Sequence, residues 1–427
     1  MNQTPAGERI HIGIFGSCNA GKSSVLNALT GQQLAVVSPV EGTTTDPVYK
    51  TMELLPLGPV IFMDTPGLDD ESILARQRLE KTRQVLRKTE LALVVLDLTR
   101  ENYDREAELL EEIQKRGLPC LLVWNKSDTL GREAQEARQR GEERLARRKN
   151  GEAGAELPPG VTVSARTGSG IRELKEALGQ LKPAERGIPL CRDLFQAGDT
   201  VVLVIPLDKA APKGRLILPQ QQVIRDILEG GGIPVLTSVE QLPEALGRLK
   251  EPPALVITDS QAFGRVDELV PEPLLLTSFS ILFARYKGNF RQQLMGTAAL
   301  AGLVSGDQVL VAEGCTHHRQ CGDIGTEKLP AWIRRSTGTD PRFCFFSGTE
   351  FPENLRDYKV ILHCGGCMLN QAEMKYRLSR AEEAGVPMSN YGLAIAWLKG
   401  ILPRALKPFP QMRKLWLEQT GAAGGES

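Results

Sequence analysis

The stretch Gly16-Ser17-Cys18-Asn19-Ala20-Gly21-Lys22-Ser23 constrains this chain more than any other. It follows an apolar alternating run, Ile10 to Phe15, and opens a helical pattern from Ser24 to Leu29. A strand, a glycine-rich turn and a helix start are what a phosphate-binding loop requires. Glycines let backbone N–H groups wrap a phosphate, and the helix N-terminus adds partial positive charge. Gly16, Asn19, Ala20, Gly21, Lys22, Ser23 and Ser24 are then the phosphate-binding residues. Lys22 reaches the β- and γ-phosphates, and the Ser23 hydroxyl ligates Mg²⁺. A chance glycine-rich turn rarely has both this spacing and these flanks. The chain is expected to bind a nucleotide.

The segments downstream say which one. Gly42-Thr43-Thr44-Thr45-Asp46 is a polar loop in which Thr44 offers a hydroxyl to Mg²⁺ and its backbone to the γ-phosphate. Val60 to Met63 reads as a buried strand ending in Asp64-Thr65-Pro66-Gly67. Asp64 there holds the water shell of the metal, and the Gly67 N–H bonds the γ-phosphate. Leu91 to Leu96 and Leu121 to Trp124 are two further buried strands around a helical, acidic segment, Glu101 to Arg116. The second runs into Asn125-Lys126-Ser127-Asp128. A carboxylate at Asp128 accepts from guanine N1–H and N2–H₂ together, which adenine cannot match, while Asn125 supports O6 or the loop. After a strand at Val161 to Val163, Ser164 and Ala165 bring backbone to O6. The base is guanine, the nucleotide GTP, and the fold a doubly wound α/β domain with ligands at the carboxyl ends of its strands. Residues 131–150, rich in Arg and Glu, read as a solvated helix face.

At 427 residues the chain has room for two or three domains. Composition shifts at 182–187, a linker. Beyond it, strands at Thr200 to Pro206, Pro234 to Thr237 and Ala254 to Thr258 alternate with helices at Gln221 to Leu228 and Glu240 to Leu249. This small α/β unit has no phosphate loop and no catalytic cluster, so an assembly module is the better reading over a second active site. A third α/β segment begins near Leu274. There, strand Gln308 to Ala312 leads into Cys315, His317 and His318, and strand Val360 to Leu362 leads into His363-Cys364-Gly365-Gly366-Cys367. These turns hold three of the chain's four histidines. They converge if the two strands are neighbours in one parallel sheet. Thiolates bind zinc and iron alike, so spacing leaves a structural zinc site and an iron–sulfur cluster open, with a redox Cys-x-x-Cys pair as a further alternative.

Two resemblances extend this reading. Asn19 inside the phosphate loop, and Leu68 where many small GTPases place a water-orienting Gln, resemble the TrmE–Era group over roughly residues 8–182. In that group the Asn coordinates a potassium ion that stands in for an arginine finger. The Cys-x-His and His-Cys-x-x-Cys arrangement behind a GTPase and a middle module closely resembles the HydF family of FeFe-hydrogenase maturation GTPases. The stretches Ala211 to Pro219 and Ser389-Asn390-Tyr391-Gly392 carry the same resemblance. It implies a GTPase domain at 1–183, an α/β dimerisation domain at 197–272 and an α/β iron–sulfur domain at 273–410. It further implies a 4Fe-4S cluster on Cys315, Cys364 and Cys367, with His317, His363 or an exchangeable ligand in fourth place. Members of the family are scaffolds that receive a di-iron precursor and deliver it to apo FeFe-hydrogenase, working beside radical SAM maturases as homodimers. Cys321 and Cys344 match nothing in that motif, although Cys321, close to Cys315, is a rival thiol. Cys18, Cys120 and Cys191 read as ordinary small residues.

Rival functions are an RNA-modification or ribosome-assembly GTPase and a GTP-regulated adaptor with structural zinc. Lys and Arg together equal Asp and Glu together, at 52 each, which gives no electrostatic footprint for nucleic acid or membrane. The polar N-terminus lacks a signal-peptide core and no apolar run reaches membrane-spanning length. The expected location is cytoplasmic, where thiols stay reduced.

Overall fold

The computed structural model describes residues 6–31, 48–67, 75–150, 157–181, 188–206, 216–314, 323–348 and 351–421. The chain divides into two compact units, Met1–Glu185 and Arg186–Ser427.

In the first unit six strands form one sheet: β1 (Ile10–Phe15), β2 (Val48–Leu54), β3 (Gly58–Asp64), β4 (Leu91–Asp97), β5 (Cys120–Asn125) and β6 (Gly160–Thr162). Their order is β2-β3-β1-β4-β5-β6. β1 runs parallel to β3 and β4, β4 to β5, and β5 to β6. The strands are nearly continuous apolar runs because helices cover both faces. Side chains alternate between the faces, so Leu93 joins a core with Ile12, Leu26 and Leu174, and Val94 one with Phe15, Leu110 and Trp124. β2, which the sequence did not suggest, pairs antiparallel with β3. Its polar residues sit on a sheet edge, where both faces need not be apolar. The Ala134–Asn150 helix carries i,i+4 Arg–Glu pairs such as Arg138–Glu142 at 2.8 Å, each worth a few tenths of a kcal/mol.

The second unit contains two parallel sheets. The first comprises β7 (Thr200–Val204), β8 (Ile233–Thr237), β9 (Leu255–Thr258) and β10 (Leu276–Ser278), in the order β10-β9-β7-β8. β10 lies past Leu274, yet it completes this middle sheet by pairing with β9. The second comprises β11 (Gln308–Glu313), β12 (Arg342–Ser347), β13 (Val360–His363) and β14 (Met388–Asn390), in the order β12-β11-β13-β14. One core joins Val202 and Ile257 of the middle sheet to Leu282 of the Phe279–Lys287 helix, Leu294 of the Phe290–Ala298 helix and Trp416 near the chain end. Ser389 to Gly392 has a structural explanation here. Asn390 caps the Tyr391–Leu398 helix by accepting from the Gly392 N–H at 2.6 Å, and a side chain at 392 would overlap the Ser280 hydroxyl. Among the described residues no helix is long and apolar enough to cross a membrane.

Candidate functional site

β1 ends at Phe15, and the loop after it is held by specific bonds. Gly21 has φ of +92°, and a Cβ there would overlap the Asn125 side-chain amide, so only glycine lets the loop meet the end of β5. Lys22 Nζ donates to the Gly16 and Ser17 carbonyls at 2.9 and 2.8 Å. The Ser17 N–H and hydroxyl both donate to the buried carboxylate of Glu106, on the Asp104–Lys115 helix. Asn19 is exposed at φ +60°, a conformation asparagine tolerates better than most residues. Ser24 follows in the first turn of the Lys22–Thr30 helix.

β3 delivers Asp64 to the same edge. Ser23 Oγ donates to Asp64 Oδ2 at 2.5 Å, while the buried Asp64 Oδ1 has no hydrogen-bond partner among the described residues. An open carboxylate oxygen beside a helix-start hydroxyl fits Mg²⁺ and its waters. Burial pushes the Asp64 carboxyl above its ordinary pKa, outweighing the Ser23 bond and the Lys22 charge. Thr65 ties the following turn to β1 through the Ile14 carbonyl at 2.7 Å. Gly67 lies so close to Cys18 that a side chain there would overlap it.

At the end of β5, Asn125 works in both directions. Its amide donates to the Ala20 carbonyl at 2.9 Å, and its Oδ1 accepts the Ala165 N–H at 3.0 Å. Asp128 is exposed, and its Oδ1 accepts from Ser164 Oγ at 2.7 Å. Lys126, at φ +67°, pairs with Asp97 at 2.6 Å. Burial raises the Asp97 pKa, but bonds from Lys126 and Thr99 outweigh it and leave the carboxyl below its usual range. The fully buried Trp124 anchors this end, edge-on to Tyr103 at 5.6 Å. The described residues expected to meet phosphate, metal and base thus share the carboxyl edge of one sheet, where a doubly wound fold binds its ligand. Thr44 with its loop, and Leu68, lie outside the described residues.

The cysteine turn follows β13. β11 and β13 are parallel neighbours with Ala312 opposite His363, which meets the adjacency that convergence of the two turns requires. Cys364 Sγ accepts N–H bonds from Gly314 at 3.1 Å and Gly366 at 3.4 Å. Gly366 takes φ +59°, and a side chain there would press on Met374. Desolvation pushes the Cys364 thiol up to about 11, and the two N–H bonds pull the other way. Amide bonds to sulfur favour the thiolate, the form that binds metal. This donor set suits iron–sulfur or zinc. Among the described residues no three His, Cys, Asp or Glu side chains gather to hold a metal ion, and Cys315, His317, His318 and Cys321 lie outside them. The six described cysteines are free thiols, with Cys120 and Cys191 buried in cores.

The expectation that His363 is a fourth ligand needs correction. Its Nδ1 bonds to the Cys364 carbonyl at 2.7 Å and its Nε2 to Arg377 Nη1 at 3.0 Å. A carbonyl takes the Nδ1 proton, so the Nε2 lone pair faces the guanidinium and none is left for iron. Complete burial, and then the Arg377 charge, bring its pKa down to about 3. His363 is a strut under the turn. Arg377, also fully buried, bonds Glu373 at 3.1 Å and the Gly348 carbonyl at 2.9 Å. Glu106, Arg377 and Lys287, a buried lysine at this turn, escaped the sequence reading. Each lies on a helix with no motif of its own, and its partners are distant in sequence.

The fold and the carboxyl-edge site define a P-loop GTPase domain joined to an α/β unit with a thiol-bearing turn. Residues 11–126 match the family model for 50S ribosome-binding GTPase. Residues 190–288 match that for the Hydrogen maturase F dimerization domain, and residues 291–408 that for the Hydrogen maturase F tetramerization domain. The chain belongs to the hydrogen maturase F family. Among curated proteins it is similar to GTPase Der of Wolinella succinogenes, 36% identical over 176 residues, covering 40% of this chain and 36% of that protein. It is also similar to tRNA modification GTPase MnmE of Heliobacterium modesticaldum, 31% identical over 238 residues, covering 55% and 47%. The chain therefore spans less than half the length of these two relatives. A solved structure of Aquifex aeolicus Era bound to GDP·AlF4⁻ aligns with a TM-score of 0.36 and 21% identity, covering 53% of this chain and 92% of that one.

Proposed function

We propose that this protein is a GTP-hydrolysing iron–sulfur scaffold that accepts a di-iron precursor as cargo and passes it to apo FeFe-hydrogenase. Radical SAM maturases supply the cargo, and the setting is the cytoplasm. The observation that carries the reading is the turn at Cys364 and Cys367, thiol-bearing and N–H-bonded, beside the strand end that leads to Cys315. Cys315, Cys364 and Cys367 would hold a 4Fe-4S cluster, with His317 or an exchangeable ligand in fourth place. Such a cluster supplies an electron-accepting, bridging-sulfide platform. The division of labour is nucleotide work at 1–183, pairing of copies by the middle module, which extends past residue 272 to include β10, and cluster binding by the residues after it. Metal and sulfide analysis with electron paramagnetic resonance of anaerobically purified, reduced protein tests the reading. Iron with sulfide and a cluster signal supports it, and stoichiometric zinc without sulfide sinks it in favour of an adaptor.

For hydrolysis, Lys22 meets the β- and γ-phosphates, Ser23, Thr44 and Asp64 hold Mg²⁺ and its waters, Gly67 bonds the γ-phosphate, and Asp128 reads guanine. Charge spread over the transferring phosphoryl group needs a counter-charge, and an arginine finger in that role is worth ~10³–10⁵ in rate. Exposed Asn19, with carbonyls of the Gly42–Asp46 loop, supplies instead a cage for K⁺. GTP turnover should therefore be slow, faster in potassium than in sodium chloride at equal ionic strength, and insensitive to that exchange in Asn19→Ala. Equal rates of the unaltered protein in both salts would remove the cation from the mechanism.

Among the described residues the middle module has an open side. β8 is an edge strand, and Ile233 and Leu236 on it are 53% and 45% exposed, with Leu228 on the adjoining Leu218–Glu229 helix at 55%. An unpaired edge with apolar side chains is a template for a second chain, and the family model over this region is one for dimerization. We place a second copy of the chain there. Burying one such side chain is worth ~1.5–3 kcal/mol. Ile233→Lys with Leu236→Glu should therefore weaken self-association by about 10²-fold or more in sedimentation equilibrium. An unchanged dimer would move the interface elsewhere.

A further inference from the structure

The first turn of the Asp104–Lys115 helix carries Glu106, which is only 3% exposed. The start of that helix is well fixed. Tyr103, just before it, donates from its hydroxyl to the carbonyl of Asp97 at the end of β4, at 2.9 Å. Ala107 and Leu110 pack in the same core as Trp124. Glu106 Oε1 accepts the N–H of Ser17, at 3.1 Å, and the Ser17 hydroxyl as well. Within the same loop, Lys22 Nζ donates to the Gly16 carbonyl at 2.9 Å and to the Ser17 carbonyl at 2.8 Å.

One peptide group joins the two side chains. The Ser17 N–H and the Gly16 C=O belong to a single planar trans unit and point in opposite directions. Glu106 therefore holds the donor end of that unit, and Lys22 bonds its acceptor end. Gly16 takes φ +144°, and a Cβ there would overlap the Val95 carbonyl, so the unit is seated close against β4. A carboxylate at the N–H polarises the amide and makes its carbonyl a better acceptor, because hydrogen bonds in a chain strengthen one another. The buried carboxylate thus acts on the ammonium through one amide.

We propose that Glu106 is a positioning residue for Lys22, holding the Gly16–Ser17 peptide so that the lysine ammonium is aimed at the β- and γ-phosphates. The inference rests on the reading that Lys22 meets those phosphates. It differs in sign from a plain field effect. A buried negative charge beside a phosphate site repels the nucleotide, so a Glu106 that acted by its charge alone would tighten binding when removed. A Glu106 that acts through Lys22 loosens binding when removed, and does so for nucleotides that have a β-phosphate.

The test uses the full chain with Mg²⁺, in unaltered form and as Glu106→Ala, Glu106→Gln, Lys22→Met and the two double variants. Dissociation constants for GTP, GDP and GMP are measured by displacement of labelled GDP, with circular dichroism to confirm folding. Glu106→Ala should weaken GTP and GDP about tenfold and Glu106→Gln about threefold, since a charge-assisted bond is lost outright in one and made neutral in the other. GMP should bind as before. In the Lys22→Met background neither change should weaken GDP further, because residues that act through one contact are not additive. If Glu106→Ala does not fold, the Gln variant, which keeps an acceptor for Ser17, decides. Unchanged or tighter GDP binding in the Gln variant overturns the proposal. So does an equal loss for GMP, a further loss in the Lys22→Met background, or failure of both Glu106 variants to fold, each of which makes Glu106 a support of the fold only. If Lys22→Met itself leaves GTP and GDP affinity unchanged, the phosphate reading of Lys22 fails and this inference falls with it.

Discussion

Asp128→Asn is expected to weaken GTP binding by ~10⁴-fold while xanthosine triphosphate is better tolerated. A site built to pair polar groups rejects a mismatched partner by as much as ~10⁴–10⁵ because its own groups are left unpaired. The surroundings of Asp128 are fixed: Ser164 donates to Oδ1 at 2.7 Å, and Asn125 ties the neighbouring Ala165 backbone to the phosphate loop through Ala20. An asparagine at 128 keeps an oxygen for Ser164 and turns an NH₂ toward the base. The N2–H₂ of guanine then meets a donor, whereas xanthine, which keeps N1–H but carries a carbonyl oxygen at C2, accepts from it. Because the Ser164 bond survives, the change is confined to the base. Dissociation constants for labelled GTP and xanthosine triphosphate check it. Unaltered GTP affinity would take Asp128 out of the base site.

The second large effect concerns iron. Cys364→Ser, like Cys367→Ser and Cys315→Ser, should lose most bound iron and abolish hydrogenase maturation. Oxygen is a harder and poorer ligand than sulfur for iron in such clusters. Losing even an outer partner of a metal ligand costs 10–100-fold in affinity, so losing the ligand costs more. The fold itself should tolerate the change, because a serine oxygen at 364 can accept the same Gly314 and Gly366 N–H bonds. Cys344→Ser is the control. Cys344 lies opposite Leu310 in the β12–β11 register, three residues before the strand end at Ser347, which is about 10 Å of strand. Full iron content in Cys364→Ser, or loss of it in Cys344→Ser, would overturn the ligand assignment.

What could be read from the residues, and what could not, divides along physical lines. Gly16 to Ser23, Asp64 to Gly67 and Asn125 to Asp128 are short contiguous runs at strand ends, where local conformation and chemistry coincide. β10 was missed as part of the middle sheet because three residues, Leu276 to Ser278, carry too little pattern. His363 was one of three options for the fourth ligand, because it adjoins Cys364. Strand alternation sends the two to opposite faces. Leu362 packs in one core with Cys364, and Ile361 packs in the other with Met374 and Leu378 of the helix that carries Arg377.

The order of residues was sufficient to determine a GTPase domain with its phosphate-loop segment, and the one described cysteine-bearing turn, after β13. The segments expected to meet phosphate, metal and base are each built from neighbours in the chain, and their spacing survives any packing. Packing alone decided which polar groups serve those sites from behind. Glu106 reaches Ser17 across 89 residues, Lys287 reaches Gly366 across 79, and Arg377 takes the free nitrogen of His363. Such partners are chosen by which helix a folded sheet draws over its face, and buried charge then settles where its hydrogen bonds can be met.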